Sequence, residues 1–205
     1  MHIYIEEQQN HAKTIKEYHL TVKGQDQITS IFSFEYYDDD SKEDEVISYE
    51  IVLTQLFSRL NRFPIYLTFG FHELTDLEKE DLLSTVKHKQ LPYTEILITK
   101  RERYMTVEVN QPTDLLQILA KTISLARNNG YYLIAFTDVL KFETRRVRRW
   151  LIKKERVVPV IDMTKPTTFF KTGFDFENVL IFSNETDFDA LEKIEALFPE
   201  DEIER

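Results

Sequence analysis

"YLIAFTDVLKFETRRVRRWL", residues 132–151, decides how the fold is read. The apolar run Tyr131–Phe136 reads as a buried strand and is far too short to cross a bilayer. Thr137 and Asp138 follow as a polar turn. Val147, Trp150 and Leu151 then recur at spacings of three and four, which predicts a helix with an apolar side and a cationic side. Strand, polar turn and helix in succession form the βα unit of an α/β sheet. The same succession is legible in "YLTFGFHELTDLEKEDLL" (66–83) and "VLIFSNETDFDALEKIEAL" (179–197).

Upstream, the pattern changes to alternation. "HIYIE" (2–6), "TIKEYHLTVK" (14–23) and "ITSIFSFEYY" (28–37) each place apolar residues at every second position, with "GQD" (24–26) as a turn between the last two. A helix is expected from about Asp44 to Leu60, its apolar set being Ile47, Ile51, Leu53, Phe57 and Leu60, with Ser41–Asp44 as a capping box. "TEILITK" (94–100) and "RERYMTVEV" (101–109) read as a tight hairpin. The helix over 111–130 is signalled best, with Pro112 in its first turn and Gly130 closing it. "RVVPVIDM" (156–163) reads as an edge strand because of Pro159, and a last helix is expected over 187–198. The expected class is α/β or α+β: a mixed sheet with βα units in the C-terminal part and an antiparallel β-rich N-terminal part. The chain reads as one domain over residues 1–205, with a slight seam at 109–114.

Composition removes whole function classes. The 205 residues include no cysteine, which excludes disulfides, thiolate nucleophiles and cysteine-ligated zinc. The four glycines, Gly24, Gly70, Gly130 and Gly173, lie far apart, so neither a P-loop, a dinucleotide fingerprint nor a G-x-S-x-G elbow can be built. No cofactor is expected. The start "MHIYIEEQQ" lacks a basic region and an apolar core, so a soluble, cytoplasmic protein without membrane contact is expected.

Charge is unevenly spread. Residues 141–156 carry eight Lys or Arg against Glu143 and Glu155, a net +6 that leaves −16 to the remainder of a chain at −10. Arg145, Arg146, Arg148, Arg149, Lys153 and Lys154 are therefore candidates for anionic-ligand or nucleic-acid binding, since each neutralised phosphate releases counterions. The plain alternatives are a solvated face, pairing with acidic helices of the same chain, and a contact between copies in a homo-oligomer. Phe169, Phe170, Phe174 and Phe176 crowd a segment (167–179) with little periodicity, and Phe170 and Phe174 are candidates for stacking on bases unless the loop folds back into the core.

The acidic run Asp38, Asp39, Asp40, Glu43, Asp44, Glu45 is a candidate surface for a cationic protein partner. Asp138 and Glu185 at strand tips are weak metal-ligand candidates for a hydrolase, although the Asp, Asn, Ser and Thr residues at such tips are also ordinary helix caps. "FHELTDLE" (71–78) begins like a zinc helix, but Asp76 stands where the second His is needed, and Thr75–Glu78 reads as a capping box. His2, His11, His19, His72 and His88 show no ligand spacing. The leading expectation is a non-enzymatic binding or regulatory protein acting through protein–protein contacts. Nucleic-acid association and metal-dependent hydrolysis are the alternatives.

Overall fold

The computed structural model describes residues 2–37, 49–128, 131–149, 152–173 and 178–204. The fold is α+β. Eight strands form one antiparallel sheet in the order β1-β3-β11-β10-β7-β4-β6-β5, and three more form a small mixed sheet, β2-β9-β8. In the large sheet the strands are β1 His2–Glu7, β3 Ser30–Tyr37, β4 Ile65–Phe69, β5 Tyr93–Thr99, β6 Glu102–Val109, β7 Tyr132–Ala135, β10 Thr168–Thr172 and β11 Val179–Ser183. The small sheet contains β2 Val22–Lys23, β8 Leu140–Arg149 and β9 Ile152–Asp162. The helices are α1 His11–Glu17, α2 Tyr49–Leu60, α3 Asp76–His88, α4 Pro112–Arg127 and α5 Leu191–Glu195. Among the described residues no helix is long and apolar enough to cross a membrane.

The central strands are apolar at consecutive positions because both of their faces are covered. Phe169 and Phe170 are neighbours on β10, yet each belongs to a different core, as do Leu133 and Ile134 on β7 and Leu180 and Ile181 on β11. The first core packs Phe32, Phe34, Leu67, Ile134, Phe170 and Ile181 against Leu53 and Phe57 of α2 and Leu115 and Leu119 of α4. The second packs Ile31, Leu133, Phe169, Leu180 and Phe182 against Ile15 of α1 and Leu140, Ile161 and Met163 at the small sheet. Burying each such side chain contributes roughly 1.5–3 kcal/mol. The large sheet is thus the middle of three layers.

Local signals explain several boundaries. Thr75 and Glu78 form the expected capping box of α3, with the Thr75 hydroxyl accepting from the Glu78 N–H and the Glu78 carboxylate accepting from the Thr75 N–H. Pro112 opens α4, and β5 and β6 form the expected hairpin. Residues 109–114 carry the chain from β6 into α4, and β4 pairs with β6 on one side and with β7 on the other. Strand then helix is found at β4–α3. At β11 a 3-10 turn, Thr186–Phe188, precedes the short α5, so the last helix is shorter than expected.

Two expectations are corrected. Residues 14–23 do not form one strand: Asn10 caps the helix α1 by accepting from the Lys13 N–H at 3.0 Å, and only Val22–Lys23 is extended. The "GQD" turn therefore joins β2 to β3, which lie in different sheets, and Gly24 there has a φ of 73°. In α2 the buried residues are Val52, Leu53, Leu56 and Phe57, whereas Ile51 is exposed. The Ser41–Asp44 box and the expected helix start lie outside the described residues.

Candidate nucleic-acid interface

The largest correction falls on the cationic block. Residues 141–149 and 152–156 are not a helix: they are the greater part of the antiparallel pair β8–β9, matched from Leu140↔Ile161 out to Arg149↔Ile152. β-Branched Thr144, Val147, Ile152, Val157, Val158 and Val160 favour extended backbone over helix, and Pro159 would break a helix outright. Pro159 faces Phe142 and lies beyond the two residues of β9 that β2 reaches, so its missing N–H leaves no ladder partner wanting on that side.

The ribbon is anchored at its base. Leu140, Val160 and Ile161 are buried there, β2 pairs in parallel with Ile161 and Asp162, and the Phe142 ring lies 5.4 Å from that of Tyr104. Further out, Thr144, Arg145 and Glu155 are exposed. Beyond Phe142, among the described residues, β8 and β9 pair with no strand but each other. The hairpin brings Arg145, Arg146, Arg148, Arg149, Lys153, Lys154 and Arg156 onto one two-stranded ladder. Its register sets Arg145 opposite Arg156 and Arg148 opposite Lys153, while only Arg146 stands opposite a carboxylate, that of Glu155. Arg145 also holds Glu143, two residues back on the same strand, at 3.1 Å.

The aromatic candidates part from this ribbon. Phe170 is 1% exposed and packs its ring 4.8 Å from Phe57 and 5.7 Å from Phe136, so it is core and offers no stacking surface. Phe169 stacks on Phe182 at 4.6 Å. Phe174 and Phe176 lie outside the described residues, as do Asp38, Asp39, Asp40, Glu43, Asp44 and Glu45.

The strand-tip carboxylates are each engaged separately. Glu185 accepts from both terminal nitrogens of Arg62, at 2.9 and 2.6 Å, and from the Thr168 hydroxyl at 2.7 Å. The Arg62 guanidinium lies over the Phe136 ring at 4.5 Å. Asp138 instead faces Lys141 at 3.4 Å and lines a cavity of about 300 Å³ with Tyr66, Tyr93, Thr94, Thr106 and Glu108. Among the described residues no group of three or more His, Asp or Glu is placed to hold a metal ion. His72 exchanges contacts through Nδ1 with the backbone of Arg103, which gives its ring a structural partner.

Two features escaped the sequence reading. Lys171 sits on the central strand β10 between Leu133 and Leu180, donates to the Thr172 carbonyl at 2.9 Å, and is pushed down to about 8 by burial. A lone lysine in an aromatic segment gave no sign that both its neighbours would be leucines of a core face. The second feature is the exposed turn Lys100–Arg101 between β5 and β6, whose cationic character is written in "TKRER" (99–103). Comparison of the chain with family models, curated proteins and solved structures finds no match.

Proposed function

We propose that this chain is a non-enzymatic binding protein that takes nucleic acid on the β8–β9 ribbon. The observation that carries the reading is the like-charge register, Arg145 opposite Arg156 and Arg148 opposite Lys153, on a ribbon whose outer strands pair, among the described residues, only with each other. Like charges directly opposite each other across a ladder are destabilising. A phosphodiester backbone supplies counter-charge to such a register, and a two-stranded β-ribbon fits the major groove of a duplex.

The acidity of the rest of the chain does not forbid this. The acidic C-terminal residues run beside β1, where Ile203 bridges Ile3, while the ribbon base packs on β6 near the opposite edge of the sheet. Six inter-strand steps of about 4.8 Å put these edges roughly 30 Å apart, several Debye lengths at physiological salt. A cytoplasmic setting accords with the reading.

The test is fluorescence anisotropy with labelled single-stranded DNA, duplex DNA and RNA at low and moderate salt. We expect binding that weakens with salt, and Arg145→Glu/Arg149→Glu to weaken it at least about ten-fold and to reduce the salt slope by about two. Absence of binding at low salt would overturn the reading and direct attention to an acidic protein partner, as would a double variant that binds like the parent.

A further inference from the structure

We infer that the β5–β6 turn is a second cationic arm for the same ligand, so that a phosphodiester chain lies across two hairpins. This rests on the nucleic-acid reading of β8–β9 and adds to it a contact that the cationic block alone does not contain.

Two contacts fix the relative direction of the hairpins. Asp138, just before β8, shares a cavity with Glu108 and Thr106 on β6. Four residues further along, Phe142 meets Tyr104, four residues back from Glu108 on β6. β8 therefore advances along the face of the sheet as β6 is followed backwards. Continuing past the Phe142–Tyr104 contact leads outward along β8 to Arg145, and outward along β6 to Arg103, Arg101 and Lys100. At about 3.3 Å per residue, Arg145 and Arg101 each stand roughly 10 Å beyond that contact, on the same side of the molecule.

The β5–β6 hairpin is built to stand clear of the body. β5 is the edge strand, and six of its seven residues are exposed, so neither of its faces is covered as the central strands are. Lys100 and Arg101 form the two-residue turn and are exposed. The acids nearby are engaged elsewhere: Glu95 holds Arg103 at 3.1 Å, and Glu102 accepts from the Tyr104 hydroxyl at 3.1 Å. Among the described residues, no salt bridge to Lys100 or Arg101 is formed. The cationic β5–β6 turn and the cationic strands of the ribbon, with an aromatic base between them of Tyr104 against Phe142 and Tyr131, make a notch whose rims carry positive charge.

The experiment compares four proteins on a labelled 20-nucleotide single strand and a 20-base-pair duplex by anisotropy across salt. They are the parent, Arg145→Glu/Arg149→Glu, Lys100→Glu/Arg101→Glu, and Lys13→Glu/Lys16→Glu on α1, the last making the same change in net charge beside β3 and β11. We expect Lys100→Glu/Arg101→Glu to weaken binding about five- to fifty-fold and to lower the salt slope by one to two, with unaltered thermal melting. The α1 variant should fall by less than about three-fold. If Lys100→Glu/Arg101→Glu binds like the parent while Arg145→Glu/Arg149→Glu does not, the ribbon acts alone and the second arm is overturned. Equal loss from the α1 variant would show that net charge alone matters and would overturn it too. A parent that binds neither probe brings down the ribbon reading itself. Which probe binds more tightly tells whether the notch holds a single strand or a duplex.

Discussion

The hairpins β10–β11 and β8–β9 are made of the same backbone ladder and live in opposite surroundings. The first has five residue pairs and the second ten, yet the shorter one is the better anchored. Every residue of β11 is buried, and β10 lies between β7 and β11, whereas the outer halves of β8 and β9 pair, among the described residues, only with each other. Hydrogen-bonded pairs do not determine where a hairpin sits, because a net stabilisation of about 1 kcal/mol per bond is available to both. Apolar area determines it. What the ribbon carries is charge, in a register that sets like charges opposite each other, which folding alone does not favour.

Three changes set this comparison at risk, in order of expected size. Phe170→Ala removes a ring in contact with Phe57, Phe136 and Phe188, and should cost about 3–5 kcal/mol in urea denaturation. A loss below 1 kcal/mol would mean that the centre of the sheet is not what holds the molecule together. Lys171 is the one cation among the central pairs of β10, and burial disfavours its charged form. Because its folded value, about 8, lies below the unfolded lysine range, the unfolded chain binds more protons, and stability should rise as pH climbs from 8 towards 10. Lys171→Met should flatten that rise and add about 1–3 kcal/mol at pH 7, and an unchanged pH profile would count against burial as the cause.

The smallest effect is the most telling. Arg148→Glu places a carboxylate opposite Lys153, so a gain of about 0.2–1 kcal/mol in stability should accompany the loss of nucleic-acid binding. Stability and binding moving in opposite directions would show that the ribbon's register is retained for its ligand. If both fall together, the ribbon's cations are part of the fold.

Legibility in the sequence followed burial. The capping box at Thr75, Pro112 at the head of α4, the run "YLIAF" and the β5–β6 hairpin were all readable, because each signal is local and the structure uses it as written. The cationic hairpin was not. Cations dominate residues 145–154, so that part of β8–β9 lacks the alternation of apolar residues that marks a strand, and Val147, Trp150 and Leu151 fall at helical spacing. The opposite extreme misled in the same way. Phe169 and Phe170 face two different cores, so the segment around them shows no period and reads as a loop. In 14–23 a genuine alternation covers a seven-residue helix whose start is set by Asn10, outside the alternating stretch. Six of the cationic residues were thus identified by type, while their arrangement and the second arm at Lys100–Arg101 depend on register and topology.

The strand order carries a last consequence, for how the chain reaches this state. β3 lies beside β11, and β7 beside β10, so strands from the first and last fifths of the chain are interleaved in mid-sheet. During synthesis neither β3 nor β7 has its partner on that side until residues 168–183 have emerged, and both present open apolar edges meanwhile. Such long-range closure makes for slow assembly. The nascent protein is therefore most exposed to aggregation just before its final segment appears, and a chain cut short at about residue 165 loses the middle of its sheet.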